Sequence, residues 1–194
     1  MNQNKTHQLL IKLTATAMMT AIVFVGNFLR VTMPVPLGGV TSFTLANILC
    51  ALSGILLGPW YGFVAAGLGS AFYDLTNPAY VMEAPITLYT KGMYGLIAGV
   101  VLYYVLKNAK EKYSAQLVAT ACAAVGYGLH YLIKNYFYNA AILELTEPVQ
   151  RWTLVVSKIP ATITNGVIAI IFAPILGVAL MKALRAAHLE KVLA

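Results

Sequence analysis

The chain has 194 residues, 60% of them hydrophobic and 10% charged, with a formal net charge of +7. An average soluble domain is about 25% charged, so this sequence lacks the polar surface that a water-soluble globule of its size needs. Its basic residues form no stripe interleaved with exposed aromatics, which argues against nucleic acid, and they cluster as a positive-inside membrane topology requires.

Lys5, His7 and Lys12 precede an apolar run from Leu13 to Leu29. The run is longer than a signal-peptide core and no Ala-x-Ala cleavage site follows, so it reads as a first membrane helix entering from the cytoplasm. Arg30 marks its end. From Val31 to Tyr73, 43 residues pass without a Lys, Arg, His, Asp or Glu. This stretch opens on Val31-Thr-Met-Pro-Val-Pro-Leu-Gly-Gly39, whose prolines and glycines forbid an α-helix. The apolar loop is either an interfacial connector or a flap over a buried site.

A second segment, about Thr44 to Leu57, would span about 21 Å of a ~30 Å hydrocarbon core. Gly58-Pro59-Trp60-Tyr61-Gly62 is a tight turn into a third short segment, Trp60 to about Leu75. There Gly62, Gly67, Gly69 and Ser70 permit close helix approach. Residues 74–85 form an outer loop with Asn77-Pro78 as its turn. Segment four runs from Ile86 to Leu106 and ends at the basic loop Lys107 to Lys112. Segment five runs from Ser114 to about Tyr138, and the next outer loop carries Glu144, Glu147 and Pro148. Segment six runs from Trp152 to about Met181, with Pro160 and Pro174 placed to kink it. Lys182, Arg185, His188 and Lys191 close the chain.

Eight Lys/Arg and two acids fall on the side of the termini, against five Lys/Arg and four acids on the other. That asymmetry predicts N-in, C-in orientation. The expected fold is an all-α membrane protein, a compact bundle of six transmembrane helices in which residues 1–194 form a single integral-membrane substrate-binding domain.

Polar residues on apolar helices face a cavity or each other. Thr87, Lys91 and Tyr94 fall on one helical face, as do Tyr127, Tyr131, Lys134 and Tyr138 with Asn135 beside them. Lys158, Thr162 and Asn165 form a third stripe. All three lie in the outer half of the proposed topology, and a shared aromatic and polar cavity accounts for them. The candidate binding residues are therefore Lys91, Tyr94, Tyr131, Asn135, Lys158, Thr162 and Asn165. Each has an alternative: the lysines can snorkel to the interface, and tyrosines favour that depth. Asp74 and Glu83 either pair with these lysines or stay solvated, and His130 reads as a packed histidine.

Cys50 and Cys122 sit in apolar segments without a ligand-spaced partner, so neither a disulfide nor a metal site is expected. No cofactor motif, nucleotide-binding loop, HExxH, GxSxG or intramembrane carboxylate pair occurs, and the chain is not expected to be an enzyme.

Taken together, the short helices, the Pro/Gly first loop, the Gly58–Gly62 turn and the outer polar stripes resemble the S components of energy-coupling factor (ECF) vitamin transporters. The runs carrying the likeness are Leu45 to Gly62, Gly67-Leu-Gly-Ser-Ala-Phe-Tyr-Asp74 and Ser157-Lys-Ile-Pro-Ala-Thr-Ile-Thr-Asn-Gly166. Ala17-Met-Met-Thr-Ala21 matches the family's AxxxA patch, which implies docking of the transmembrane coupling subunit at Ala17 and Ala21. The resemblance further implies capture of a water-soluble vitamin from outside a bacterial plasma membrane. The loaded protein would then associate with the coupling subunit and two cytosolic ATPases, and tip over to release its cargo. The first loop, the third external loop and helices four to six would supply the ligand contacts. Riboflavin-binding members favour Asn and Lys where this chain has Thr162 and Asn165. That departure leaves pyridoxine-like, hydroxymethylpyrimidine, pantothenate or riboflavin-like cargo open. The competing readings are a self-sufficient secondary transporter or channel, which would want charges near the midplane, and a membrane enzyme resting on Asp74, Glu83 and His130.

Overall fold

The computed structural model describes residues 3–187, so His188, Glu190 and Lys191 lie outside the described residues. Six principal helices and one β-hairpin make up the described chain. Helix α1 (Gln3–Gly26) leads into β1 (Arg30–Pro34), which pairs antiparallel with β2 (Val40–Thr44), Arg30 opposite Thr44 and Thr32 opposite Ser42. The first loop is thus a hairpin, its tip a single 3-10 turn at Pro36–Gly38 with Leu37 in the left-handed region at φ 66°. Its prolines do exclude an α-helix; the pairing of the flanking residues has no counterpart in the local sequence pattern.

Helices α2 (Ala46–Leu57) and α3 (Pro59–Thr76) meet at Gly58, whose φ of 78° suits glycine, with Pro59 starting α3. At 12 residues, α2 is about 18 Å long and reaches only part-way across a bilayer. Helix α4 (Ala84–Val100) continues through a π turn at Val101–Val105. Helix α5 starts at Tyr113 and runs to Ile142, with a π turn at Asn135–Asn139. Helix α6 (Pro148–Ala186) is the longest at 39 residues and carries Pro160 and Pro174.

Helices α2, α3 and α4 form the tightest part of the bundle. A Cβ on Gly54 would fall 2.1 Å from the Gly95 carbonyl oxygen, and one on Gly99 would fall 2.5 Å from Cα of Pro59. Only glycine permits these backbones to touch. Around this contact Val23, Cys50, Ala51, Leu52, Tyr94 and Ala98 are buried as one core.

The outer surface is apolar. On α5, Val125, Leu129, Ile133 and Phe137 are exposed one turn apart, and on α6 Val156, Ile163, Val167 and Ile171 are exposed. Lys5–Gly26, Val81–Val105, Tyr113–Ile142 and Pro148–Ala186 are each long and apolar enough to cross a membrane. An apolar exterior on long apolar helices belongs in lipid: this is a multi-pass membrane protein.

Candidate binding site

The stripe that exposes Val125 to Phe137 on α5 fixes the opposite face, which turns Tyr127, Tyr131 and Lys134 inward. There they meet α4, the end of α3 and the hairpin around a cavity of about 60 Å³. Thr87, Thr90 and Lys91 come from α4, Asp74 from α3, Thr41, Ser42 and Thr44 from β2, and Ala161, Thr162 and Asn165 from α6. Tyr127 and Tyr131 stack with centroids 5.6 Å apart, giving one wall an extended aromatic surface.

The hairpin is bound to α6 along one edge. Asn165 accepts from the backbone N–H of Thr44 and donates to the carbonyl of Ser42, both at 2.8 Å. Lys158 Nζ donates to the Val40 carbonyl. Residues 40, 42 and 44 alternate along β2, so their backbone groups share the edge facing away from β1. Two side chains of α6 therefore occupy the place of a third strand. Ser42 Oγ and the Tyr80 hydroxyl share a hydrogen bond of 2.6 Å.

Lys91 is 8% exposed, donates to Oδ1 of Asn47 and lies 4.8 Å above the centre of the Tyr127 ring. Lys134 is ion-paired with Glu83, whose other carboxylate oxygen accepts from Asn139 at 2.9 Å. Arg30 sits between two rings, its Cζ 4.0 Å from the centre of Tyr73 and 5.1 Å from that of Tyr80. Asn27 fixes its orientation by accepting from Nε at 2.7 Å and from Nη2 at 2.6 Å.

Of the residues singled out by helical spacing, Lys91, Tyr131, Thr162 and Asn165 line this one cavity. Tyr94 stands behind it, fully buried, its ring 5.2 Å from that of Tyr127. Asn135 turns back along its own helix, donating to the Tyr131 carbonyl at 2.7 Å and accepting from Asn139. Lys158 faces a second cavity of about 240 Å³ beneath the hairpin tip, lined also by Val40, Glu83, Asn139 and Leu143. Asp74 is buried on the cavity wall and not solvated in a loop. His130 donates to the Gly126 carbonyl at 2.7 Å and meets the Tyr89 ring, as a packed histidine does. Ala17 and Ala21 lie one turn apart on an exposed face of α1, away from the cavity.

The wall residues that helical spacing did not single out are chiefly Asn27, Arg30 and the β2 residues. Arg30, the charge ending an apolar helix, was the available signal. No group of three His, Cys, Asp or Glu able to hold a metal occurs among the described residues.

Known proteins agree with this architecture. A solved structure described as the S component of a bacterial ECF transporter superposes with a TM-score of 0.62 at 19% identity, covering 96% of this chain and 99% of that one. The S component for biotin from an ECF-type ABC transporter superposes with a TM-score of 0.60, also at 19% identity, covering 96% and 95%. At that identity the likeness establishes the fold alone. No curated protein matches the sequence. The family model for the S component of the ECF-type riboflavin transporter, however, matches residues 8–182, nearly the whole chain. The chain belongs to the ECF-type riboflavin transporter S-component family.

Proposed function

We propose that this protein captures a water-soluble vitamin or vitamin precursor from outside the cell. It then delivers that cargo with a transmembrane coupling subunit and two cytosolic ATPases. In this reading the chain crosses the bacterial plasma membrane six times with both termini inside, and the hairpin faces outward. The observation that carries it is the cavity, where aromatic and hydrogen-bonding groups from α3, α4, α5 and α6 converge beneath a hairpin tethered by α6. Pockets for molecules of this size run about 300–1,000 Å³, several times the cavity's 60 Å³. The cavity must therefore widen to admit a ligand, and in this reading the hairpin is the wall that opens, with Lys158 and Asn165 as the latches it leaves.

Protein purified in mild detergent should carry a small molecule near one-to-one and retain the coupling subunit when the two are co-expressed. Native mass spectrometry reads both; finding neither would reject the proposal. Uptake into vesicles lacking any ATPase would favour a self-sufficient transporter instead.

Asn165→Ala removes both bonds to β2 and one polar group from the cavity wall. Ligand affinity should fall by about 1–3 kcal/mol, measured by titration calorimetry. An unchanged affinity would leave Asn165 as a purely structural contact. Lys158→Ala, which acts through the hairpin from the second cavity, should speed ligand dissociation and leave the contacts on the Tyr127–Tyr131 wall intact. An unchanged dissociation rate would remove Lys158 from the latch.

A further inference from the structure

The charge on the cavity wall is unbalanced. Arg30, Lys91 and Lys134 face it, against Asp74 and Glu83. Glu83 is committed to Lys134. No carboxylate lies within 4.0 Å of Arg30 or Lys91 among the described residues. The second cavity shares Glu83 and adds a further cation, Lys158, held only by a backbone carbonyl.

Both unpaired cations keep unused capacity to donate. The Lys91 ammonium has one protein acceptor, a neutral amide, and otherwise lies over a ring. Arg30 uses two N–H groups on Asn27, and the flanking Tyr73 and Tyr80 rings hold its plane. A guanidinium has five N–H donors in a rigid fork that matches planar or tetrahedral oxyanions. Lys91 is buried and Arg30 half-buried, and with Glu83 committed to Lys134, Asp74 is the one wall carboxylate left to balance the two of them. A buried cation short of counter-charge is costly, a cost that an incoming anion removes.

We propose that the ligand of this cavity carries an anionic oxygen group, a carboxylate or a phosphate, received by Arg30 and Lys91. The inference rests on the vitamin-capture reading of the same cavity and narrows it to the charged members of that class. Because Arg30 is the first residue of β1, the anion would also touch the root of the hairpin. Ligand charge and hairpin closure would then be coupled.

The test is a set of matched pairs titrated into the purified full-length protein. Riboflavin, pyridoxine and hydroxymethylpyrimidine are each compared with their monophosphates, and pantothenate with the uncharged alcohol pantothenol. The expected result is that in the pair that binds, the anion binds at least tenfold tighter. The phosphate and carboxylate pairs show which oxyanion is preferred. Lys91→Gln should reduce that ratio at least tenfold while Lys91→Arg retains it. The wild-type ratio itself needs no variant and so does not depend on their folding. A ratio below ten in every pair that binds would overturn the inference and leave vitamin capture standing. An anionic preference unaffected by both Lys91→Gln and Arg30→Gln would overturn the assignment to these residues. Binding of no compound at millimolar concentration would reject vitamin capture itself, and this inference with it.

Discussion

Ala17→Trp or Ala21→Trp should reduce uptake of the cargo by more than tenfold while leaving its binding to the isolated protein unchanged. The two alanines sit at i and i+4 on α1, both exposed, within a face that also exposes Leu13, Met18 and Ile22. Small residues one turn apart let a second helix approach to backbone contact, and an indole there holds it off. Since the side chain would extend into lipid, it strains nothing inside the bundle. Neither alanine lines the cavity. Uptake by the reconstituted complex and calorimetry on the isolated protein separate the two effects. Equal loss of both would remove the docking role; loss of neither would place the partner on another face.

The second large effect concerns the buried ion pair Lys134–Glu83. Lys134→Met should destabilise the protein by about 3 kcal/mol, the usual cost of leaving a buried charge without its partner. Lys134 and Glu83 have side-chain exposures of 4% and 15%, so water offers little relief. The pair ties the loop before α4 to the end of α5, and the Tyr138 hydroxyl donates to the nearby Met82 carbonyl at 2.6 Å. The double variant Glu83→Gln, Lys134→Met should recover most of the loss because no uncompensated charge remains. Thermal unfolding in detergent of the singles and the double gives the coupling. Additive losses would mean that the two groups act independently. The pair has a second consequence: with Glu83 neutralised, Asp74 is the only carboxylate left on the cavity wall for Arg30 and Lys91.

Much of the helical framework was legible because a bilayer enforces it. Apolar runs near Leu13–Leu29, Ile86–Leu106, Ser114–Tyr138 and Trp152–Met181 each mark a helix; α1 begins ten residues before its run, at Gln3, and the other ends lie within several residues of theirs. The 3.6-residue period was equally informative, since a polar stripe on a lipid-facing helix has few places to go. Lys91, Tyr131, Thr162 and Asn165 follow that logic onto one cavity. Tyr94, Asn135 and Lys158 share the same stripes, yet one is sealed in the core, one bonds its own helix and one opens on a second cavity. A stripe gives direction around a helix axis but not the depth at which a neighbouring backbone intervenes.

What the sequence determined by itself was the medium, the helices and the faces they turn inward, because those depend on local composition and period. The membrane class follows from 60% hydrophobic residues against 10% charged. Only the tertiary structure decided what covers the cavity. Residues 30–44, with their prolines, show no strand pattern, and their pairing depends on a partner edge. That edge is completed from α6, more than a hundred residues away, through Asn165 and Lys158. The charge balance of the wall was likewise hidden in the linear chain. Arg30, Lys91 and Lys134 become neighbours only when the hairpin, α4 and α5 close around one space. Hydrogen-bond edges and unpaired buried charges are relations between distant segments, and no local period records them.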